Sequence, residues 1–361
     1  MSTKIEQLQA FLPLKRENGG ADALLITSDV NRFYLTGFRS SAGAVLITPE
    51  AAYFLTDFRY IEAAQASITD CTVVRYERLE QTLEEYFHKH RVKKVMVEQE
   101  ITSLAQMKQM ADGLKSVRWV DHPWLDKQLK DMRAIKTPAE MEDLRRAQRI
   151  TEEAFEHILG VLKPGVTERD AALELEFFMR RKGAERVSFD LIVVSGKNSS
   201  LPHGVPGEKK LEPGDFITMD TGAVFGGMHA DMTRTVALGS VSEEQRKIYE
   251  IVLQAQLSAI AAVKEGVRCA DVDAAARNVI KDAGYGEYFG HSTGHSVGLE
   301  IHESPAFSPR SEDIAKEGMV ITVEPGIYLP QKFGVRIEDM VVVTRDGCEN
   351  LTHAKKDLII L

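Results

Sequence analysis

The sequence of 361 residues contains few cysteines, and those it has are widely spaced. Cys71, Cys269 and Cys348 form no CxxC pair and no cluster with histidine, so the sequence indicates neither a disulfide framework nor a thiolate-bound metal. Each cysteine is interpreted as a small, partly buried apolar residue.

Long apolar runs and a basic charge balance are also missing. No stretch approaches the run of about 18 apolar residues that a transmembrane helix needs. The N-terminus has neither the apolar segment nor the small-residue cleavage site of a signal peptide, so a cytoplasmic location is expected. The formal net charge of −9 disfavours nucleic acid and membrane as partners, because both present anionic surfaces that attract basic proteins.

The composition is that of a soluble globular protein, with 43% hydrophobic and 27% charged residues. The length allows one large domain or two ordinary ones. In residues 1–125, short β-forming runs alternate with helical stretches, which predicts an α/β domain. The predicted strands are 23–27, 44–48, 52–56, 71–75 and 92–98, and the predicted helices are 58–66, 79–90 and 101–114. Residues 121–136 are interpreted as a connection, and the domains are predicted to be 1–128 and 129–361.

The second half combines capped helices with β-hairpins, an α+β pattern. Thr137-Pro138-Ala139-Glu140 is a capping box with proline at the first helical position. Further helix starts are predicted at Thr167 and Ser242. The predicted helices end near 162, 183 and 266, a fourth covers 270–284, and the predicted β runs are 189–196, 215–225, 228–238, 318–329 and 335–344. The hairpins share a coarse order of strand, acid, turn, strand and acid, which hints at an internal duplication.

Four acidic residues interrupt these β runs. They are Asp220, Asp231, Glu324 and Glu338. A single aspartate near a turn would more often be a solvated, turn-forming residue. Four carboxylates facing inward from strands would repel one another by several kcal/mol unless cations neutralised them. Two divalent metal ions would balance the four negative charges.

Nitrogen ligands are available in GHSTGHSVGLEIHESP, residues 290–305, which holds His291, His295 and His302. His203 lies in a separate loop with two prolines. One nitrogen and many carboxylate oxygens favour Mn²⁺, Co²⁺ or Fe²⁺ over a thiolate-type structural zinc. Two metals about 3.5–4 Å apart would lower the pKa of a bridging water and polarise a carbonyl. The predicted reaction class is metal-assisted hydrolysis.

The order and spacing of Asp220, Asp231, His295, Glu324 and Glu338 resemble those of the pita-bread metallopeptidases, the M24 family, which includes methionine aminopeptidase, aminopeptidase P and prolidase. The resemblance covers the whole chain. Residues from about 130 onward resemble the α+β pita-bread catalytic domain. The first 125 or so resemble the α/β N-terminal domain of creatinase and prolidase, and the stretches TDFRYIEAA and AIKTPAEMEDLRRA fit that branch too. The resemblance implies a homodimer in which the N-terminal domain mediates dimerisation and gating.

The resemblance also implies a ligand set for two divalent metals. Asp220 would hold one metal, Asp231 and Glu338 would bridge the two, and His295 and Glu324 would hold the other. Mn²⁺ is the first expectation and Co²⁺ the second, with Fe²⁺ and Zn²⁺ as alternatives. All five ligand types are present, which disfavours a metal-free relative.

Five residues would carry further roles in such an enzyme. Glu324 would also be the proton shuttle between the attacking water and the leaving amine. His302 would lie near the scissile carbonyl. His203 and His291 match accessory histidines of the Xaa-Pro branch. Arg336 fits a position that steadies ligands or a substrate carboxylate.

The expected substrates are short peptides with proline at position two. The Xaa-Pro bond is a tertiary amide without an N–H, and a metal pair that polarises the carbonyl does not need that N–H. Some prolidases place an arginine shortly after the histidine-glutamate pair, where this chain has Ala306, with Arg310 further on. This difference slightly favours an Xaa-Pro aminopeptidase, with prolidase, the Xaa-Pro dipeptidase, as the alternative. A creatinase-like non-peptidase hydrolase and a non-catalytic binding module are less favoured.

Overall fold

The computed structural model describes residues 2–14, 17 and 19–361. The chain divides into two compact units, one ending at Arg133 and one covering Ala134–Leu361. The division predicted at 128/129 therefore falls inside a helix, Trp124–Ala134, where the sequence indicated a connection. This helix buries Leu125 and Leu129 one turn apart, and this packing stabilises it.

The first unit is built on a six-stranded mixed sheet in the order β4-β3-β2-β1-β5-β6. Its strands are β1 (Ala23–Ile26), β2 (Ala44–Ile47), β3 (Ala52–Thr56), β4 (Thr72–Arg75), β5 (Lys94–Val97) and β6 (Arg118–Val120). Its helices are α1 (Lys4–Phe11), α2 (Asp29–Thr36), α3 (Ile61–Ser67), α4 (Leu79–Lys89), α5 (Leu104–Gly113) and α6 (Trp124–Ala134). The α/β prediction is confirmed, although α1, α2, α6 and β6 were not predicted.

Helix α2 shows why short helices escape a sequence analysis. Its N-cap is Ser28, whose side chain accepts a hydrogen bond from Asn31 N. It ends after only eight residues at Gly37, which has a φ of +67°. Two turns carry too little apolar periodicity to stand out in the sequence.

The second unit contains the four helices expected from the sequence. They are α7 (Pro138–Leu159), α8 (Glu168–Arg181), α9 (Glu243–Ala262) and α10 (Cys269–Asp282). Thr137 and Ser242 both form complete capping boxes, as predicted, and Thr167 caps α8. Short 3-10 turns follow at Gly196–Ser200 and Gly286–Tyr288.

The strands of this unit form four sheets, ordered β11-β10-β7, β12-β9-β8, β14-β13-β15-β18-β19 and β16-β17. The first six are β7 (Arg186–Val187), β8 (Ile192–Ser195), β9 (Phe216–Thr221), β10 (Ala223–Phe225), β11 (Met228–His229) and β12 (Met232–Ala237). The others are β13 (Gly294–Ser296), β14 (Glu303–Phe307), β15 (Val320–Val323), β16 (Gly326–Leu329), β17 (Phe333–Arg336), β18 (Asp339–Val343) and β19 (Cys348–Asn350).

Two helix pairs cover these strands. Helices α7 and α8 pack their apolar residues with those of β8, β9 and β12. Helices α9 and α10 pack with β15, β17 and β18. Three of the four predicted acid-containing runs are broken at the acid: Asp231 directly precedes β12, Glu324 follows β15, and Glu338 lies between β17 and β18. Asp220 lies within β9, one residue before its end. The α+β prediction is confirmed.

Candidate metal centre

Three of the predicted ligands converge from different strands. Asp231 directly precedes β12, His295 is the middle residue of β13, and Glu338 lies between β17 and β18. Each offers one ligand atom, and these atoms all lie within 4.8 Å of one another. Asp231 is 4% exposed and Glu338 1% exposed. A buried histidine–carboxylate cluster of this size is suited to a divalent cation.

His295 presents the nitrogen that a metal would use. Its Nδ1 lies 3.1 Å from the carbonyl oxygen of Ser296, which can only accept, so Nδ1 carries the proton. The unprotonated Nε2 faces Asp231 Oδ2 at 3.5 Å and Glu324 Oε1 at 3.4 Å. Burial, with a contribution from His302, lowers the pKa of His295 to about 4. The ring is therefore a neutral ligand with a fixed tautomer.

Close backbone approach puts His295 in this place. A Cβ atom at Gly294 would lie 1.8 Å from the carbonyl oxygen of Thr322, so only glycine lets β13 run this near β15. The hydroxyl of Thr322 accepts from His295 N at 3.1 Å and donates to Glu324 Oε1 at 3.2 Å. Glu324 N donates to Thr293 O at 2.7 Å.

Glu338 is also held by a threonine, Thr233 on β12. Its Oε2 accepts a hydrogen bond of 2.7 Å from the hydroxyl of Thr233, and its backbone N donates to Thr233 O at 3.1 Å. Thr233 lies on β12 directly opposite Asp220 on β9. The strand register therefore brings Glu338 and Asp220 to the same threonine.

The buried carboxylates of the cluster need additional positive charge nearby to be stable in their ionised form. Burial raises the pKa of Glu324 to about 8 and raises the pKa of Asp231 and of Glu338 well above the ordinary range, with further contributions from the neighbouring carboxylates. Asp220 Oδ2 accepts from Arg336 at 2.7 Å, whereas its Oδ1 is buried and has no hydrogen-bond donor in the described part of the chain. A buried carboxylate oxygen without a donor is an open ligand position. The residues present thus fit a pair of divalent metal ions.

Arg336 links the acids to the accessory residues. Its guanidinium donates to Asp220, to the Thr233 hydroxyl at 2.9 Å and to the Tyr328 hydroxyl at 2.8 Å. The Tyr328 hydroxyl in turn donates to His291 Nε2 at 2.8 Å, since His291 Nδ1 is committed to Ser292 O. His291 therefore contacts the cluster through Tyr328 and Arg336, apart from the ligand atoms.

The remaining two histidines are exposed beside the cluster. The ring of His302 lies with its centroid 4.5 Å from that of His295. His203 lies close enough to His291 to lower the pKa of that ring, although burial and Arg336 contribute more to its value of about 4. The structure thus brings all of the predicted site residues into one region of the second unit.

Sequence analysis did not identify Thr233, Thr322 or Tyr328 as site residues. Each lies in an apolar β run and looks there like an ordinary strand residue. Thr233 lies opposite Asp220 across the β9–β12 pair, and the Thr322 hydroxyl accepts from His295 N on the neighbouring strand. Only the strand register supplies these contacts.

Comparison with known proteins agrees with this geometry. Residues 142–345 match the model of metallopeptidase family M24, and residues 5–135 match the model of the creatinase/prolidase N-terminal domain. The chain belongs to metallopeptidase family M24. It is therefore a metallopeptidase with the pita-bread fold, as the sequence predicted, and this family uses paired divalent metals.

Relatives and solved structures cover nearly the whole chain. The Xaa-Pro dipeptidase of Pyrococcus horikoshii is 37% identical over 363 residues, which cover 99% of each chain. An Xaa-Pro dipeptidase structure from Bacillus anthracis is 42% identical with a TM-score of 0.95, covering 99% of each chain. An X-Pro aminopeptidase structure from Thermotoga maritima is 37% identical with a TM-score of 0.89, covering 96% of this chain and 100% of that one. No helix in the described residues is long and apolar enough to span a bilayer.

Proposed function

We propose that this protein hydrolyses the peptide bond before proline in Xaa-Pro dipeptides. The observation that carries the proposal is the buried convergence of Asp231, His295 and Glu338, with Asp220 and Glu324 beside them. The names of the P. horikoshii and B. anthracis relatives support a dipeptidase. These comparisons fit that alternative better than the aminopeptidase that the sequence slightly favoured.

An Xaa-Pro aminopeptidase is the second candidate. It is supported by the T. maritima neighbour and by the small residue Ala306 at the position where some prolidases have an arginine. The carboxylate of a dipeptide substrate needs a cationic or hydrogen-bonding partner. Arg336 is 3% exposed and engaged by Asp220, so it serves the site itself, whereas Arg310 is exposed.

We infer that the five ligands divide as the resemblance implies. Asp220 would hold one metal, His295 and Glu324 the other, and Asp231 and Glu338 would bridge them. The donor set of one imidazole and carboxylate oxygens supports Mn²⁺ as the metal, with Co²⁺, Fe²⁺ and Zn²⁺ as alternatives to be compared. When bound, the metal pair would polarise the scissile carbonyl and acidify the attacking water.

The protein's own groups would handle the proton and the developing charge. Glu324 Oε1 lies 3.4 Å from His295 Nε2 at the edge of the ligand cluster, so with the metal pair bound its carboxylate would be placed beside the attacking water as the proton acceptor. It would take a proton from the attacking water and deliver it to the proline nitrogen as the C–N bond breaks. His302, exposed next to His295, would donate to the oxyanion that forms from the carbonyl.

The proposal is tested on chelator-stripped protein re-supplied with Mn²⁺. Release of the first residue is compared for Ala-Pro, Ala-Pro-Ala and Ala-Ala-Ala. We expect metal-dependent cleavage of Ala-Pro, weaker cleavage of Ala-Pro-Ala and none of Ala-Ala-Ala. Asp231→Asn should abolish activity, whereas Asp170→Asn, an exposed acid on α8, should not change it.

The other outcomes select among the alternatives. Cleavage of Ala-Pro-Ala at least as fast as Ala-Pro would establish the aminopeptidase. Turnover that survives complete metal removal would point to a creatinase-like hydrolase. A metal-loaded protein inert towards all Xaa-Pro peptides would support a binding module and end the proposal.

A further inference from the structure

Glu168, the first residue of α8, is a fully buried carboxylate outside the metal cluster. It is 0% exposed, and all of its side-chain partners are hydrogen-bond donors. Oε1 accepts from Ser195 N at 2.7 Å and from Ser195 Oγ at 2.9 Å, and Oε2 accepts from Gly207 N at 3.2 Å. The Asn198 amide donates to both oxygens, at 3.1 and 3.2 Å.

These donors belong to one segment and the residue before it. The segment, residues 196–207, contains Asn198, His203 and Gly207 and is called here the His203 loop, and Ser195 directly precedes it. Ser195 is fixed by the pairing of β8 with β9, where it lies opposite Ile217. Gly207 is fixed against α8, since Arg169 N donates to Gly207 O at 3.0 Å. The Glu168 carboxylate therefore joins the two anchored ends of the loop, one oxygen to each end.

Glu168 is held by hydrogen-bond donors. Lys209 Nζ donates to Ser195 Oγ at 3.0 Å, and this hydroxyl donates to Glu168, but the ammonium itself is paired with Asp215 Oδ2 at 2.6 Å. The amino end of α8 also favours negative charge at this position. Because every neighbour of Glu168 donates, glutamine would place its own N–H₂ against donors.

The middle of the His203 loop reaches the metal cluster. Ser199 Oγ accepts from Gly334 N at 2.9 Å, and Pro202 O accepts from Arg336 at 3.2 Å. A Cβ atom at Gly334 would lie 2.1 Å from Ser199 O, so the backbone of the loop is in close contact with β17. His203 directly follows Pro202, so the contact of Pro202 O with Arg336, which also binds Asp220, places His203 beside the cluster.

We propose that Glu168 is a positioning residue that holds the His203 loop closed so that His203 faces the metal cluster. Its effect on turnover rests on the proposed function, whereas its effect on the loop does not. A carboxylate on α8 would thus set the geometry of a histidine on a loop that contacts Arg336 and β17.

The first test is hydrogen exchange followed by mass spectrometry on Glu168→Gln. We expect peptides covering 195–207 to exchange about tenfold faster than in the wild type, with exchange elsewhere unchanged. Asp170→Asn is the matched control, because it removes an exposed carboxylate from the same helical turn. Unchanged exchange of the loop in a folded Glu168→Gln protein would overturn the proposal, whatever the protein's activity.

The second test is a double-mutant cycle on kcat/KM for Ala-Pro. Glu168→Gln should lower kcat/KM about tenfold in the wild-type background and by less than about twofold in His203→Ala, because both changes disturb one unit. Fully additive losses would show that Glu168 acts independently of His203 and would overturn the proposal. If the wild type cleaves no Xaa-Pro peptide, the proposed function fails and the exchange experiment alone decides on Glu168.

Asn198→Ala provides the same test if Glu168→Gln does not fold. It removes the donor that contacts both carboxylate oxygens from the loop side, and Asn198 is only partly buried. The expected result is again faster exchange confined to 195–207. Wild-type exchange rates for residues 195–207 in Asn198→Ala would contradict the proposal that Glu168 holds the His203 loop.

Discussion

Replacing Thr233 by valine should weaken metal binding without removing any ligand. The Thr233 hydroxyl lies between two charged groups and is fully buried. Arg336 Nε can only donate, so the hydroxyl accepts from it at 2.9 Å and must give its own proton to Glu338 Oε2 at 2.7 Å. Valine keeps the shape but removes both contacts.

The magnitude follows from what the two partners lose. Hydrogen bonds to charged groups contribute about 1.5–3 kcal/mol each, and a buried partner left without one incurs a further desolvation penalty. Removing a hydrogen bond to a metal-ligating carboxylate typically weakens metal affinity about 10–100-fold. We therefore expect Thr233→Val to bind Mn²⁺ about 10–100-fold more weakly, equivalent to about 1.4–2.8 kcal/mol.

The assay is calorimetric titration of Mn²⁺ into chelator-stripped protein, which needs no substrate. Thr235→Val is the control, because Thr235 is equally buried on the same strand but bonds the Thr218 hydroxyl and the Arg336 backbone, with no carboxylate ligand among those contacts. It should lose stability while keeping its metal affinity. Wild-type affinity in Thr233→Val, or an equal loss in both variants, would refute the reasoning.

Two further substitutions test how the second unit holds the segment before and within β13. Asp273→Asn should lower the free energy of unfolding by about 2 kcal/mol. Asp273 accepts a hydrogen bond of 2.9 Å from the Thr293 hydroxyl and forms an ion pair with Arg277. Arg277 in turn donates to His291 O, so the substitution weakens the contacts of this whole segment. Urea denaturation measures this, and an unchanged midpoint relative to exposed Asp271→Asn would contradict it. Gly294→Ala should lose both thermal stability and Mn²⁺ binding, since its Cβ would lie 1.8 Å from Thr322 O. Gly290→Ala meets nothing within 4 Å and should melt at the wild-type temperature; equal melting of both variants would show that β13 can shift.

The features that could be predicted from the sequence are those set by local physics. Thr137 and Ser242 begin their helices because a hydroxyl and a glutamate or glutamine three residues later satisfy the first amides of a helix, whatever surrounds it. Asp220, Asp231, Glu324 and Glu338 stood out because carboxylates in β-forming runs need a cation. Helices α1 and α2 were not predicted although Thr3 and Ser28 cap them, because eight residues carry too little apolar periodicity to stand out. Helix α6 was not predicted because its stability depends on the packing of Leu125 and Leu129.

Tertiary structure decided which groups support those acids. Thr233 meets Glu338, and Thr322 meets the segment of His295, only through strand register, which depends on side chains more than 20 positions away in the sequence. Tyr328 meets Arg336 within the β16–β17 pair and meets His291 from 37 positions away in the sequence. Glu168 is the plainest case: in the sequence it is an ordinary acid in the first turn of a helix, and folding buries it beneath the His203 loop. The sequence alone therefore predicted the class of chemistry, because acids that interrupt β-forming runs are recognised one segment at a time. The geometry that would make this chemistry effective depends on long-range packing.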